Sequence, residues 1–237
     1  MKQQIHFEGI GVVHFYRTRR AKNIVLRVRP FAGVTVSFSP FIPFEKAKEF
    51  VLLKREWIVK QQEKISLLEK KNIANESLPF FTRHHTVVFE QIEGTLVHLS
   101  IRNGEIKISY PHNITTTHPV VQKVIRKGLI EAYRIEAKEF LPQRVSELAK
   151  KFGFSFRSVA IKNMRSRWGS CSKENNINLS VHIMRLSDEL IDYIILHELV
   201  HTQIKNHSKH FYDKLNAVCG SVDVLEKKMK AAGVVLY

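Results

Sequence analysis

The chain has only two cysteines, Cys171 and Cys219. Two cannot build a disulfide framework, and a reduced, cytoplasmic setting is the simplest expectation. No apolar run approaches the roughly 18 to 20 residues that a membrane span needs, which argues against a membrane protein. The opening MKQQIHFEGIGVVHFYRTRR has neither a long apolar stretch nor a small-residue cleavage site, so no signal peptide is expected. There is no Cys-x-x-Cys pair, which disfavours a structural zinc. There is also no glycine-rich phosphate loop, which removes the usual nucleotide cradle. Internal repeats and low-complexity segments are missing too. Acidic residues are scarce, 22 against 38 Lys and Arg, leaving a net charge of +16.

That charge is spread along the chain, densest at Arg17–Arg29, Lys46–Lys71 and Arg157–Arg167. A field of this sign attracts polyanions or acidic substrates, although a lysine-rich solvated surface explains it as well. With 237 residues, 44% of them hydrophobic and 25% charged, the chain is an ordinary globular protein of one large or two small domains.

Segments 5–16 and 24–38 alternate apolar and polar residues as strands do, with turn chemistry at 30–33. Residues 44–71 have helical spacing, with Phe44, Ala47, Phe50, Val51, Lys54, Trp57 and Ile58 near one face. Residues 72–79 read as a loop. Three strands follow at 85–91, 96–102 and 105–111, the last two joined by the hairpin signal Asn103–Gly104. A polar linker at 112–119 marks the organisational boundary, dividing a β-rich N-terminal region (1–112) with one long helix from a catalytic domain (119–237). The pattern then turns helical. Pro142 is expected to kink or restart a helix that ends at Gly153. Strands are expected at 158–163 and 177–184, then a helix from Asp188 to Ile204 capped by Ser187, another from Ser208 to about Gly220, and a last one over 222–231. The fold class is α+β.

The chemistry concentrates at His197-Glu198-Leu199-Val200-His201. Residues four apart on a helix share a face, so two imidazoles can reach one zinc ion. Glu198 projects at a neighbouring angle, where it can touch a zinc-bound water and take its proton. The helix is strongly apolar, so polar residues on it need a reason. His207 stands ten residues after His197, a spacing known for third ligands. Residues 202–207 lose the helical pattern, which permits a turn back. Three protein ligands leave a fourth position for water. His210 is a rival third ligand, and His182, Asn178 and Asp213 are candidates for orienting the imidazoles. The bland alternative is a buried helix with two satisfied histidines.

Arg167-Trp168-Gly169-Ser170-Cys171-Ser172 joins two expected strands just before that helix. Arg167 and Trp168 are candidate substrate-binding residues, Arg167 for a carboxylate or phosphate, and the backbone at Gly169 can approach a substrate closely. Packing of Trp168 against the helix is the competing reading. A nucleophilic Cys171 would need a depressed pKa and is disfavoured beside a metal site.

The strings HELVHTQIKNHSKHF (197–211), IDYII (191–195) and NMRSRWGSCSKENNINLS (163–180) resemble the YgjP-like metallopeptidase family, which is related to the Wss1-like and SprT-like zinc proteases. The likeness extends through RRAKNIVLRV, KREWIVKQ and FLPQRVSELAKKFG. It implies a mostly helical zincin-like catalytic domain, zinc on His197, His201 and His207, and Glu198 as catalytic acid and base. Ile204 stands where the metzincin pattern has glycine, and no Met-turn is visible, which sets the chain apart from that group. Peptide or protein hydrolysis is the first functional expectation. A metal-dependent nucleoside triphosphate pyrophosphatase, acting on an anionic small molecule, is the second. A protease with a basic region that binds nucleic acid is the third.

Overall fold

The computed structural model describes residues 2–29, 33–71, 82–164 and 166–232, and of residues 2 and 67–71 the backbone only. The turn at 30–33 falls largely outside these residues, and the loop at 72–79 wholly so. The chain forms two compact units, Met1–Ile73 and Ala74–Val235.

The first unit begins with β1 (Lys2–Phe7) and β2 (Gly11–Arg17), an antiparallel hairpin. The sequence reads 5–16 as one strand, but the chain turns at residues 8–10. Next come β3 (Val25–Arg29) and β4 (Gly33–Phe38), giving the sheet order β1-β2-β4-β3. One face of this sheet (Val13, Phe15, Val34, Val36, Phe38) is buried together with Ala47, Val51 and Ile58 of two helices. These are α1 (Phe44–Leu53) and α2 (Arg55–Lys71). The expected single helix is therefore interrupted, at Lys54, where ψ opens to 14°.

The second unit starts with β5 (Thr86–Ile92), β6 (His98–Arg102) and β7 (Glu105–Pro111) in the order β5-β7-β6. This sheet packs on α3 (Pro119–Phe152). A Cβ at Gly128 would come within 2.6 Å of Ile106 and 2.9 Å of Leu99, so the glycine lets helix and sheet close up. The linker at 112–119 consequently lies inside the second unit. Helix α3 runs through Pro142 without a restart over 34 residues. It is anchored on both sides of the proline by Ala137, Leu141, Val145 and Leu148, all in the core. It ends at Gly153, as its sequence implies.

Strands β8 (Ser158–Lys162), β9 (Gly169–Cys171) and β10 (Asn176–Ser180) form a third sheet with order β8-β10-β9. The strand expected over 177–184 stops at Ser180, whose hydroxyl accepts from His182 N and starts a 3-10 turn, Val181–Arg185. Helices α4 (Asp188–Val200), α5 (Lys209–Cys219) and α6 (Val222–Ala232) complete the unit. No helix among the described residues is long and apolar enough to cross a membrane. The architecture is α+β.

Candidate metal centre

Helix α4 is apolar almost all round: Leu190, Ile191, Ile194, Ile195, Leu199 and Val200 are buried. His197 and His201 emerge one turn apart on its remaining face. The helix ends earlier than its sequence suggests, at Val200 instead of Ile204. Thr202 closes the end, its hydroxyl donating to the Leu199 carbonyl at 2.7 Å and its N–H to the same oxygen at 2.9 Å. The chain then turns and carries His207 back toward the helix.

His197 Nε2 and His201 Nε2 each lie 3.1 Å from His207 Nε2. All three ligand atoms lie within 4.8 Å of one another. Zinc–nitrogen bonds of about 2.0 to 2.1 Å in a tetrahedron put nitrogens roughly 3.3 to 3.4 Å apart, so the rings stand near the spacing a metal requires. Hydrogen bonding explains the cluster poorly. His201 Nδ1 faces the Ile204 carbonyl at 2.9 Å, which keeps the proton on Nδ1 and leaves Nε2 bare. His207 Nε2 carries at most one proton and cannot pair well with both neighbours, whereas a cation between the rings would satisfy all three. Burial, with His201 and His207 adding to it, drives the His197 pKa down to about 3. Burial also lowers that of His201, against the effect of the Ile204 carbonyl. Neutral imidazoles are the form that binds a metal.

Phe211 of α5 forms the floor. Its ring stacks on His201 at 4.4 Å and lies edge-on to His197 at 4.9 Å and His207 at 4.8 Å. Glu198 is 6% exposed. Its Oε2 has no hydrogen-bond partner among the described residues. Burial raises its pKa to about 8, with Arg167 pulling the other way. A dication nearby would draw it back toward ionisation.

Arg167 is exposed and close enough to act on Glu198 electrostatically. Trp168 packs against the core beneath Arg185, whose guanidinium lies 5.3 Å from the ring. Gly169 approaches Glu198: a Cβ there would meet Oε1 at 2.5 Å. Cys171 has its pKa raised by burial, with Lys205 opposing and Glu198 reinforcing. This is the reverse of what a nucleophile needs. His210 is exposed on α5 and outside the cluster. His182 is buried with Nε2 2.8 Å from Asn163 Oδ1, away from the ligand rings. Asn178 donates to Ser170 Oγ at 3.2 Å and so ties β10 to β9. Asp213 is exposed, with no bond to a ligand ring among the described residues. Sequence reasoning missed the Ile204 carbonyl, which leaves no side-chain signature. It also missed Lys205, whose Nζ donates to the Ser172 carbonyl at 2.9 Å and to Asn175 Oδ1, pinning the β9–β10 turn to the loop that carries His207. It did not foresee β9, three residues long within an expected loop.

Three converging imidazoles, two from α4 and one from the loop after it, beside the buried Glu198 carboxylate fit a metallohydrolase. A family profile described as YgjP-like, metallopeptidase domain, matches residues 22–232. The chain belongs to the YgjP-like metallopeptidase family. No curated protein matches it. It is similar to two solved metallopeptidase zymogens. One is jannalysin of Methanocaldococcus jannaschii, 28% identical, covering 38% of this chain and 94% of that one at a TM-score of 0.35. The other is abylysin of Pyrococcus abyssi, 20% identical, covering 39% and 94% at a TM-score of 0.36.

Proposed function

We propose that the chain is a zinc-dependent peptidase in which His197, His201 and His207 hold the ion through Nε2 and Glu198 carries the proton. The observation behind this reading is the meeting of three Nε2 atoms, two pairs of them 3.1 Å apart, beside a buried carboxylate oxygen with no described partner. An all-imidazole donor set suits zinc better than magnesium or calcium, which prefer oxygen. Zinc held there would supply a Lewis acid for a water and for the scissile carbonyl. Glu198 Oε2 then takes the water proton and returns it to the departing amine. Strand β9 pairs with β10 alone among the described strands, so its other edge can pair with an extended peptide. Arg167, exposed beside Glu198, can meet a carboxylate on that peptide. The two free thiols suit a reducing, cytoplasmic setting.

The test compares wild type with Glu198→Gln on an unfolded fluorescent protein substrate, with metal content measured in both. Cleavage should fall by about 10²- to 10⁴-fold while the metal stays. An unchanged rate removes the mechanism. Faster pyrophosphate release from nucleoside triphosphates than peptide cleavage, lost in His197→Ala, would reassign the substrate to the anionic small molecule.

A further inference from the structure

In the first unit a groove opens between the last strand of the sheet and the helices that cover it. Strand β3 ends the order β1-β2-β4-β3 and pairs only with β4 among the described residues. Leu26 and Val28 stand opposite the buried Val36 and Val34, so they share the core face, whereas Arg27 and Arg29 stand opposite Thr35 and Gly33 on the other face. Beyond Leu26 the core does not close. A groove of about 470 Å³ lies between Ile24 and Leu26 on the strand side and Phe50, Lys54 and Trp57 on the helix side. Trp57 is 45% exposed there. Neighbouring strands lie roughly 4.8 Å apart, so the helices provide cover for one more strand than the sheet contains.

The unit that carries this edge is strongly basic. Residues 1–73 carry fifteen Lys and Arg against six Glu and no Asp. Arg27 donates to Ser37 Oγ at 3.1 Å and, like Arg29 and Lys54, has no acidic partner among the described residues.

We infer that the open edge of β3 is a docking site for an extended acidic segment of a partner protein, which adds as a fifth strand with apolar side chains in the Phe50–Trp57 groove and carboxylates beside Arg27 and Arg29. The two faces of β3 dictate the pattern. Alternate residues of an added strand point to opposite faces, so the segment alternates apolar and acidic residues. Main-chain hydrogen bonds to the edge supply affinity, and the groove and arginines supply selectivity. Single-stranded nucleic acid fits less well, because the groove offers only the half-exposed Trp57 and the half-buried Phe50 among aliphatic side chains instead of a series of stacking rings.

The experiment uses the full-length chain and fluorescein-labelled decapeptides, read by anisotropy at low salt. A Val/Glu alternating peptide should bind at least tenfold more tightly than the same residues in two blocks, and than its backbone N-methylated form. Arg27→Glu with Arg29→Glu should weaken it at least tenfold, and Trp57→Ala should do likewise, with circular dichroism confirming that each variant stays folded. Equal binding of the block peptide would overturn the inference by reducing the site to bulk charge. So would displacement of the peptide by oligo(dT) at lower concentration than by unlabelled peptide. Self-association of the free chain that Trp57→Ala abolishes would also overturn it, assigning the edge to a second copy.

Discussion

Gly169 and Glu198 lie so close that a Cβ on the glycine would fall 2.5 Å from Glu198 Oε1 and 2.7 Å from its Cγ. The edge strand thus fixes the carboxylate from behind, leaving Oε2 as the oxygen without a described partner. Gly169→Ala should push Glu198 out of place and cut kcat by about 10²-fold, the scale on which a displacement of 1 Å at a reacting group is felt. Stability should fall by about 1 to 3 kcal/mol, as for other overpacked sites. Steady-state kinetics and a urea melt measure both. A fully active alanine variant would show that the carboxylate can relocate freely.

The ligand assignment separates the histidines. His201→Ala and His207→Ala should each lose the single bound dication on dialysis, whereas His210→Ala, altering an exposed ring outside the cluster, should keep it. Plasma mass spectrometry gives the stoichiometry. Retention of one zinc per chain by His207→Ala would move the third ligand elsewhere.

Removing the metal should also loosen the fold. A ligand that binds only the folded state at 100 times its Kd adds about 2.7 kcal/mol. A chelator should therefore lower the melting temperature of the wild type and leave that of His201→Ala unchanged. Equal shifts in both would mean that the chelator acts elsewhere.

Glu136 is 1% exposed, and its Oε1 accepts from the Thr82 hydroxyl and from His84 N at 2.9 Å, and lies 2.8 Å from His85 Nδ1. Burial alone would raise its pKa, but these bonds together outweigh burial and lower it. A folded pKa below the unfolded one means that the ionised network stabilises above the unfolded carboxylate pKa. That contribution is lost as pH falls through the folded value. Glu136→Gln should destabilise by about 1 to 3 kcal/mol at pH 7, the range for orphaned buried partners. It should also flatten the loss of stability on the acid side. Urea denaturation at pH 7 and in the acid range compares the two slopes.

Lys205→Ala should unpin the β9–β10 turn from the loop carrying His207. Substrate affinity is expected to suffer more than turnover, with KM rising several-fold while metal content holds, and Lys205→Arg should recover part of it. A KM identical to wild type would confine Lys205 to the surface.

The cluster could be read in the sequence because its residues are close along the chain and the helical repeat supplies the geometry for His197, Glu198 and His201. His207 was accessible only through spacing, and it, not His210, comes near the other two rings because the Thr202 turn ends α4 early. The helices and most strands followed from periodicity. Failures came where tertiary packing overrides local signals. Lys54 splits a helix whose apolar face continues without a gap. The packing of the β5–β7 sheet on α3 also lies beyond local signals, since Gly128 admits Ile106 and Leu99, which lie some twenty to thirty residues away. The short strand β9 was hidden because its identity depends on pairing with β10.

His201 takes its orientation from the main-chain oxygen of residue 204, not from a side chain. Every amino acid supplies that oxygen, so the tautomer does not depend on which side chain stands at 204, although Ile204 itself packs against the core. Engineered replacements at 204 that preserve the turn and fill the same space against the core should therefore leave the His201 ring where it is.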